Sequence, residues 1–385
     1  MSIRKRCTKK TARVAWQVDY RDQNGDRRHK QFSTKREAEA WYVSVRHDVA
    51  DGTHVPAGQS RSVRHASDAW LRSCERNGLE RSTIDSYRQH IDLHICPFIG
   101  ERLASELDSS DVTQFYNTLL DNGRSRDMVR RVKIDLGAIF DCAKLNKWIA
   151  KNVIKETPFR LSKRDNNRPE MPTVEDVSAM VAKTKEQWSD WLAFLYVAVF
   201  CGLRSSEIRG LTWANVDLRT GLVTVGKRAD RWGKMGPPKS KAGTRDIPLP
   251  PIAVQSLKER KLRSSSGLND LVFSTEKGTP INHSNIMTRY FKPLQIEAGI
   301  FEIRLVQSQR LSRRKPAKCA KFGLHALRHF CASIWIEGDY SAKKVQRLMG
   351  HASIQQTFDT YGYLFERRDH DRETLLEIQN RVLLA

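Results

Sequence analysis

Long apolar runs are missing from this chain. None approaches the length of a bilayer-spanning helix, and the N-terminus MSIRKRCTKK has no apolar core of the kind a secretion signal carries. A membrane protein and an exported one are both disfavoured, and the cytosol, with its nucleoid, is the expected location. Cysteine is scarce as well. Seven are present, at positions 7, 74, 96, 142, 201, 319 and 331, an odd number with no CxxC pair, which argues against a disulfide framework and a zinc ribbon. There is no Walker-type glycine loop and no carboxylate cluster suited to magnesium, so neither ATP nor a metal cofactor is expected. Internal repeats and low-complexity tracts are absent too. Acidic residues are in deficit: 44 Asp and Glu against 67 Lys and Arg give a net charge of +23 and a pI near 9.9. That excess selects a polyanion as partner, nucleic acid first.

What is present is enough chain, 385 residues, for two or three domains with their own cores. The expected class is multidomain and mainly α, with small β elements. Residues 1–13 hold six basic residues and no acidic one, which reads as a flexible arm that neutralises phosphates. Val14, Trp16, Val18 and Tyr20 then alternate with polar residues, Asn24-Gly25 centres a turn, and RRHKQF supplies a second strand, so a hairpin or small sheet is expected. Thr34 with Glu37 three residues later predicts a capped helix running toward Gly52. Residues 1–55 thus form a sheet-plus-helix module able to lay a strand face into a DNA groove. Its candidate DNA contacts are Arg4, Lys5, Arg6, Lys9, Lys10, Trp16, Arg27, Arg28 and Lys30.

Residues 63–154 read as a helical domain of four main helices, each beginning at a serine (Ser67, Ser82, Ser110 and Ser125), the first three ending at glycine. Lys155 to Pro172 is a linker by composition, with three prolines and many charges. From Thr173 to Ala385 the chain is helical again, interrupted by LVTVGKRA, a basic Gly-Pro-rich stretch and DIPLP. The segment EIRLVQSQRLSRRKPAKCAKFG carries seven basic residues and one acidic, and its composition assigns it no role beyond DNA-backbone contact. After Tyr361, Leu375, Leu376, Ile378, Val382 and Leu383 give the last helix an apolar stripe for docking on its own domain or on a neighbouring protomer.

Four short pieces of this last region add up to a phosphate site. In CGLRSSE, the apolar run WLAFLYVAVF ends near Gly202 and a helix restarts at Ser205 or Ser206, leaving Arg204 at the break with Glu207 able to orient it. In HALRH, His325 and Arg328 lie one turn apart on one helical face. His325 and His329 could pair on a metal, but HALRH lacks the glutamate of HExxH. His351 follows a Gly350 C-cap in LMGH, where it can reach outward, and Tyr361 follows in TFDTY. Two guanidiniums can hold a phosphate, imidazoles can donate or move protons, and a tyrosine can attack phosphorus. A free phenol titrates near 10, so Tyr361 needs the arginines to ease its ionisation. In the basic stretch between strands, Lys239 or Lys241 can protonate a leaving alkoxide.

In the order and context of these pieces the chain resembles the tyrosine recombinases, in particular phage-type integrases. The resemblance covers nearly the whole chain: residues 1–55 look like an arm-type DNA-binding domain, 63–154 like a SAM-like helical core-binding domain, and 173–385 like the mixed α/β catalytic domain. It implies that Arg204 and Arg328 clamp the scissile phosphate, that His325 and His351 hydrogen-bond it and assist proton transfer, and that Tyr361 is the nucleophile. A hairpin lysine, 239 or 241, would be the general acid. A 3′-phosphotyrosyl intermediate, a Holliday junction and a homotetramer on arm and core sites follow, in host-cell cytosol and without cofactor. An excisionase or other directionality factor and a host DNA-bending protein are the further partners implied. The same chemistry would serve a Xer-like resolvase or a type IB topoisomerase, which would not need the N-terminal module. A non-catalytic basic DNA-binding regulator would have no use for Tyr361 beside two arginines.

Overall fold

The computed structural model describes residues 2–7, 14–22, 25–50, 55–56, 58–159, 170–238, 240–263, 270–307, 314–365 and 379. They fall into two compact units, Met1–Asn166 and Asn167–Ala385.

The first unit begins with an antiparallel sheet, β1 (Ser2–Cys7), β2 (Val14–Arg21) and β3 (Arg27–Phe32), in the order β1-β2-β3. Residues 2–7 are therefore a paired strand and not a flexible arm, with Arg4 opposite Gln17 and Lys5 opposite Trp16. The reason is register: the ladder places Ile3 opposite the fully buried Val18, which the count of basic residues did not weigh. The β2–β3 turn is closed by Asp22, whose carbonyl accepts from the Gly25 N–H at 2.9 Å and whose carboxylate accepts from Asp26 N–H at 3.0 Å. Helix α1 (Lys35–Ala50) starts on the expected box, with Thr34 Oγ1 accepting from Glu37 N–H at 3.2 Å and Thr34 N–H donating to Glu37 at 3.3 Å. It covers the sheet through Ala38, Val45 and Trp41, the last edge-on to Tyr20 at 5.3 Å.

The rest of this unit is helical: α2 (Val63–Arg76), α3 (Arg81–His90), which passes through a π turn at Ile91–Ile95 into α4 (Cys96–Ile99), then α5 (Ser109–Asp121), α6 (Arg126–Leu145) and α7 (Val153–Glu156). Of the four serines read as helix starts only Ser125 is a cap, its hydroxyl accepting from Met128 N–H. Ser67, Ser82 and Ser110 lie inside helices that Ser62, Glu80 and Asp108 precede. Capping depends on which backbone N–H is left unpaired, and a run of serines leaves that choice open until the helix is packed. The core of the unit is laid down by α6, where Val129, Val132, Leu136, Ile139, Phe140 and Ala143 repeat at helical spacing and are fully buried.

The second unit is built around α9 (Leu192–Phe200), whose residues 193–199 are buried on every side, as a central helix must be. Around it lie α8 (Val174–Gln187), α10 (Ser205–Arg209), α11 (Pro251–Arg263), α12 (His283–Ile286) and α13 (Lys292–Glu297), then α14 (His325–Glu337), α15 (Ala342–Met349) and α16 (Ile354–Phe365). A sheet of β4 (Val216–Asp217), β5 (Leu222–Val225) and β8 (Arg245–Pro248) flanks them in the order β4-β5-β8. The basic stretch between β5 and β8 is a hairpin of its own, β6 (Arg228–Ala229) with β7 (Met235–Gly236). Arg209 anchors it by donating to Asp230 O at 2.9 Å. The described parts of EIRLVQSQRLSRRKPAKCAKFG belong to a second unforeseen element, an antiparallel ribbon of β9 (Phe301–Gln307) and β10 (Arg314–Ala320). The apolar stripe after Tyr361, like Lys9, Lys10 and Lys239, lies outside the described residues. Among the described residues no helix is long and apolar enough to cross a membrane.

Candidate active site

The site is organised by the C-terminal end of α15. A helix end leaves its last carbonyls without intrahelical donors and carries partial negative charge. Here three successive carbonyls each receive a guanidinium: Leu348 O from Arg245 at 2.6 Å, Met349 O from Arg328, and Gly350 O from Arg204 at 3.0 Å. Gly350 ends the helix in the left-handed conformation, φ 64°, as its sequence position predicts.

Arg204 sits at the N-cap of α10, where the chain turns after Gly202, itself at φ 55°. Glu207 in the first turn of α10 accepts from the Arg204 backbone N–H at 2.9 Å and from its guanidinium at 2.8 Å. Both oxygens of the same carboxylate also accept from Arg245, Oε2 at 2.9 Å and Oε1 at 3.3 Å. Glu207 is 2 % exposed, so it is a buried strut and not a surface ion pair. Burial alone would raise its pKa, but the hydrogen bonds and charge of Arg245, and then Arg204, hold it below the ordinary carboxylate value. Arg204 keeps about a third of its side chain in solvent, and each guanidinium has five N–H donors. It retains donors for an incoming oxyanion.

Arg328, on α14, is 3 % exposed and also donates to Gly202 O. Burial first, then the like charges of Arg204 and Arg245, push its pKa down to about 9, which leaves it charged at neutral pH. One turn earlier His325 has an exposed edge. The protein crowded around its ring, then His329, Arg328 and Arg204, lower its pKa even so. Arg204 and His325 are thus the open rim of the site, and Arg328 its floor.

His351 does not reach outward from the α15 cap. It is 7 % exposed, pairs through Nδ1 with Thr357 Oγ1 at 2.9 Å, and stacks nearly parallel to Tyr361 at 6.3 Å. Helix α16 folds back over α15 and closes it in, an event of tertiary packing that the cap residue cannot foretell. Burial and then Arg328, Arg204 and Arg245 push His351 down to about 4 from 6.5. The unfolded chain therefore binds a proton here between pH 6.5 and 4 that the folded chain refuses, so stability is full above 6.5 and is lost as pH falls through this window. Urea denaturation should show a midpoint lower at pH 5 than at pH 7.5, with the difference reduced in His351→Asn; an unchanged difference would remove His351 from the account.

Tyr361, on α16, is 1 % exposed among Ala332, Ile336, Val345 and Met349. The arginines do not win its ionisation in this state: burial raises its pKa, and Arg328 only opposes that rise. Its hydroxyl lies 2.8 Å from Nδ1 of His329, a ring whose own pKa burial and then Arg328 lower. With that ring neutral and its proton on Nε2, the phenol donates to Nδ1. His329 was weighed in the sequence only as a metal partner, and among the described residues no group of three or more His, Cys, Asp or Glu is placed to hold a metal. Its place four residues after His325, on the same helical face, was the available signal. Arg245 left no signal beyond its place in a basic run.

The loop lysines stand apart. Lys239 is outside the described residues, and Lys241 opens a short turn, Lys241–Gly243, whose Gly243 O accepts from Arg245 at 2.8 Å. In the first unit Arg4, Lys5 and Arg6 are exposed along β1, and Arg27 is exposed on β3. Arg28 is held by Asp22 at 3.0 Å and Asp26 at 3.2 Å, Lys30 reaches Glu106 at 3.4 Å, and Trp16 is half-buried.

Residues 173–367 match the phage integrase family. The chain is 26% identical over 383 residues to a tyrosine recombinase XerC-like protein of Caldanaerobacter subterraneus subsp. tengcongensis, covering 90% of this chain and 91% of that one. It is 22% identical to the ICEBs1 integrase of Bacillus subtilis, covering 90% of each. In fold it is similar to the Tn1549 transposon integrase solved with circular intermediate DNA, with a TM-score of 0.65 at 16% identity over 81% of this chain and 99% of that one. It is also similar to a lambda integrase dimer bound to a COC′ core site, with a TM-score of 0.59 at 18% identity over 92% and 93%.

Proposed function

This chain belongs to the phage integrase family, the tyrosine recombinases that cut and rejoin DNA at specific sites, and from that premise we propose a strand-exchange cycle carried by Arg204, Arg328, His325, His351 and Tyr361. The observation behind the proposal is that Arg204 and Arg328 donate to successive carbonyls at one helix end, that His351 just past this end stacks on Tyr361, and that the Tyr361 hydroxyl meets the His329 ring. Arg204 and Arg328 receive the scissile phosphate by the donors they keep free, and His325 hydrogen-bonds it at the rim. His351 backs the nucleophile. The Tyr361 oxygen attacks phosphorus as its proton passes to His329, the bond from phosphorus to the 5′-oxygen breaks, and Lys239 or Lys241 protonates the leaving oxygen. The phosphodiester energy is kept in the tyrosyl ester, which the 5′-hydroxyl of a partner strand then opens.

The substrate proposed is an attachment site in double-stranded DNA, and the outcome is integration of a phage or other mobile element. Excision follows with a directionality factor and a host DNA-bending protein, in the host cytosol or nucleoid. Four protomers act together; a lambda integrase tetramer bound to a Holliday junction is among the structures of similar fold. Residues 1–55 serve as the arm-site module, 63–154 as the core-site module, 155–172 as the linker and 173–385 as the catalytic domain. Exposed Arg4, Lys5, Arg6 and Arg27 supply the arm contacts, and a module for a second site distinguishes this reading from a Xer-like resolvase.

A nicked duplex carrying the core site tests it. Wild-type protein should accumulate a covalent adduct on a denaturing gel, and a chain lacking residues 1–55 should form the same adduct yet integrate poorly. Absence of any adduct sinks the reading, and equal integration by the truncated chain sinks the arm-site role alone.

A further inference from the structure

Arg245 is nearly buried. It is 7 % exposed at the start of β8, and four of its five N–H donors bond the protein. Nε donates to Leu348 O at 2.6 Å, Nη1 to Gly243 O at 2.8 Å and Glu207 Oε1 at 3.3 Å, and Nη2 to Glu207 Oε2 at 2.9 Å. Three parts of the site therefore meet on one side chain: the carboxylate that aims Arg204, the helix end that presents Gly350 and His351, and the turn that carries Lys241. Gly350 marks how tightly the turn is seated. A Cβ there would lie 2.9 Å from Ala242 O and 2.9 Å from Arg245 Nη1, so no side chain fits between the turn and the helix end.

We propose that Arg245 is a positioning residue that sets the lysine turn against the arginine clamp, so that phosphate binding and leaving-group protonation occur in one geometry. The proposal rests on the reading of Lys239 or Lys241 as the general acid. A planar fork with donors in three directions is what the arrangement needs, and a lysine ammonium on a single atom cannot reproduce it. In cleavage the bond from Tyr361 oxygen to phosphorus forms, the bond from phosphorus to the 5′-oxygen breaks, and the departing electron pair on that oxygen takes the lysine's proton. A 5′-bridging sulfur leaves as a thiolate and needs no proton. Loss of a well-placed acid should then be felt on oxygen and forgiven on sulfur.

The test uses the full chain, with nicked duplexes carrying either a normal or a 5′-bridging phosphorothiolate scissile linkage. Arg245→Lys should bind the duplex as wild type does. It should cleave the oxygen substrate at least about 100-fold more slowly, within the range a general acid supplies, and the sulfur substrate within about tenfold of wild type. Lys239→Ala and Lys241→Ala run beside it, and one of them should show the same oxygen-selective loss. Equal losses on both substrates, or no loss, would overturn the role of Arg245. If neither lysine variant is rescued by sulfur, the lysine reading fails and carries this proposal with it, a result seen in the lysines and not in Arg245. Should Arg245→Lys fail to fold by its circular dichroism melt, Gly243→Ala, whose added Cβ would lie 2.5 Å from Pro238 Cβ, shifts the turn whose carbonyl Arg245 holds and should give the same oxygen-selective loss.

Discussion

Replacing Tyr361 by phenylalanine leaves DNA binding nearly intact and yields no covalent protein–DNA species on the nicked duplex. The hydroxyl is the only group lost, and its environment shows what it does. Its ring stays packed among Ala332, Ile336, Val345 and Met349, so the fold tolerates the change. What disappears is the oxygen 2.8 Å from His329. His329→Ala, which removes the proton acceptor but not the nucleophile, should slow adduct formation by about 10²–10³, the scale of general base catalysis. An adduct that persists in Tyr361→Phe would move the nucleophile elsewhere, with Tyr363, half-buried two residues on, next to be tried. A rate unchanged in His329→Ala would free that ring from any part in the chemistry.

Glu207→Ala should be the most damaging substitution for stability. The carboxylate, 2 % exposed, balances two guanidiniums, and its removal strands Arg245, itself 7 % exposed, without a counter-charge. Breaking a buried pair from one side costs about 3–5 kcal/mol. Urea denaturation of the full chain should show that loss, and adduct formation should fall with it because Arg204 no longer has its orienting partner. Glu207→Gln keeps one acceptor oxygen but removes the charge and turns the second oxygen into an amide donor facing N–H groups of the arginines, so it should recover only part of the alanine loss. A loss under about 1 kcal/mol for Glu207→Ala, the ordinary size of a point mutation, would show that water or a neighbouring group replaces the carboxylate.

Legibility in the sequence follows the range of the interaction. The Thr34–Glu37 box and the Gly350 cap are made by residues within a few positions of each other, and both could be read directly. The β9–β10 ribbon was missed for a different reason. Its strands alternate, Phe301, Ile303 and Leu305 against Glu302 and Arg304, but Ile303 and Leu305 are 70% and 66% exposed, so no buried face separates a strand from a basic loop. The length of the stretch after Gly226 likewise concealed a hairpin too short to show a period.

The motifs themselves, their order, the basic charge and the apolar helices that carry them are properties of the chain, and they were sufficient to name Arg204, His325, Arg328, His351 and Tyr361 as one constellation. Folding decided how those residues are held. Glu207 became a buried strut because Arg245 lies 38 positions away in sequence and beside it in space. Arg204 is fixed by a carbonyl 146 positions distant, and Tyr361 is closed in by an imidazole 32 positions before it. Spacing along a helix fixes which side chains share a face. Which faces then meet, and what each buried charge must find as its partner, is settled only when distant segments exclude water between them.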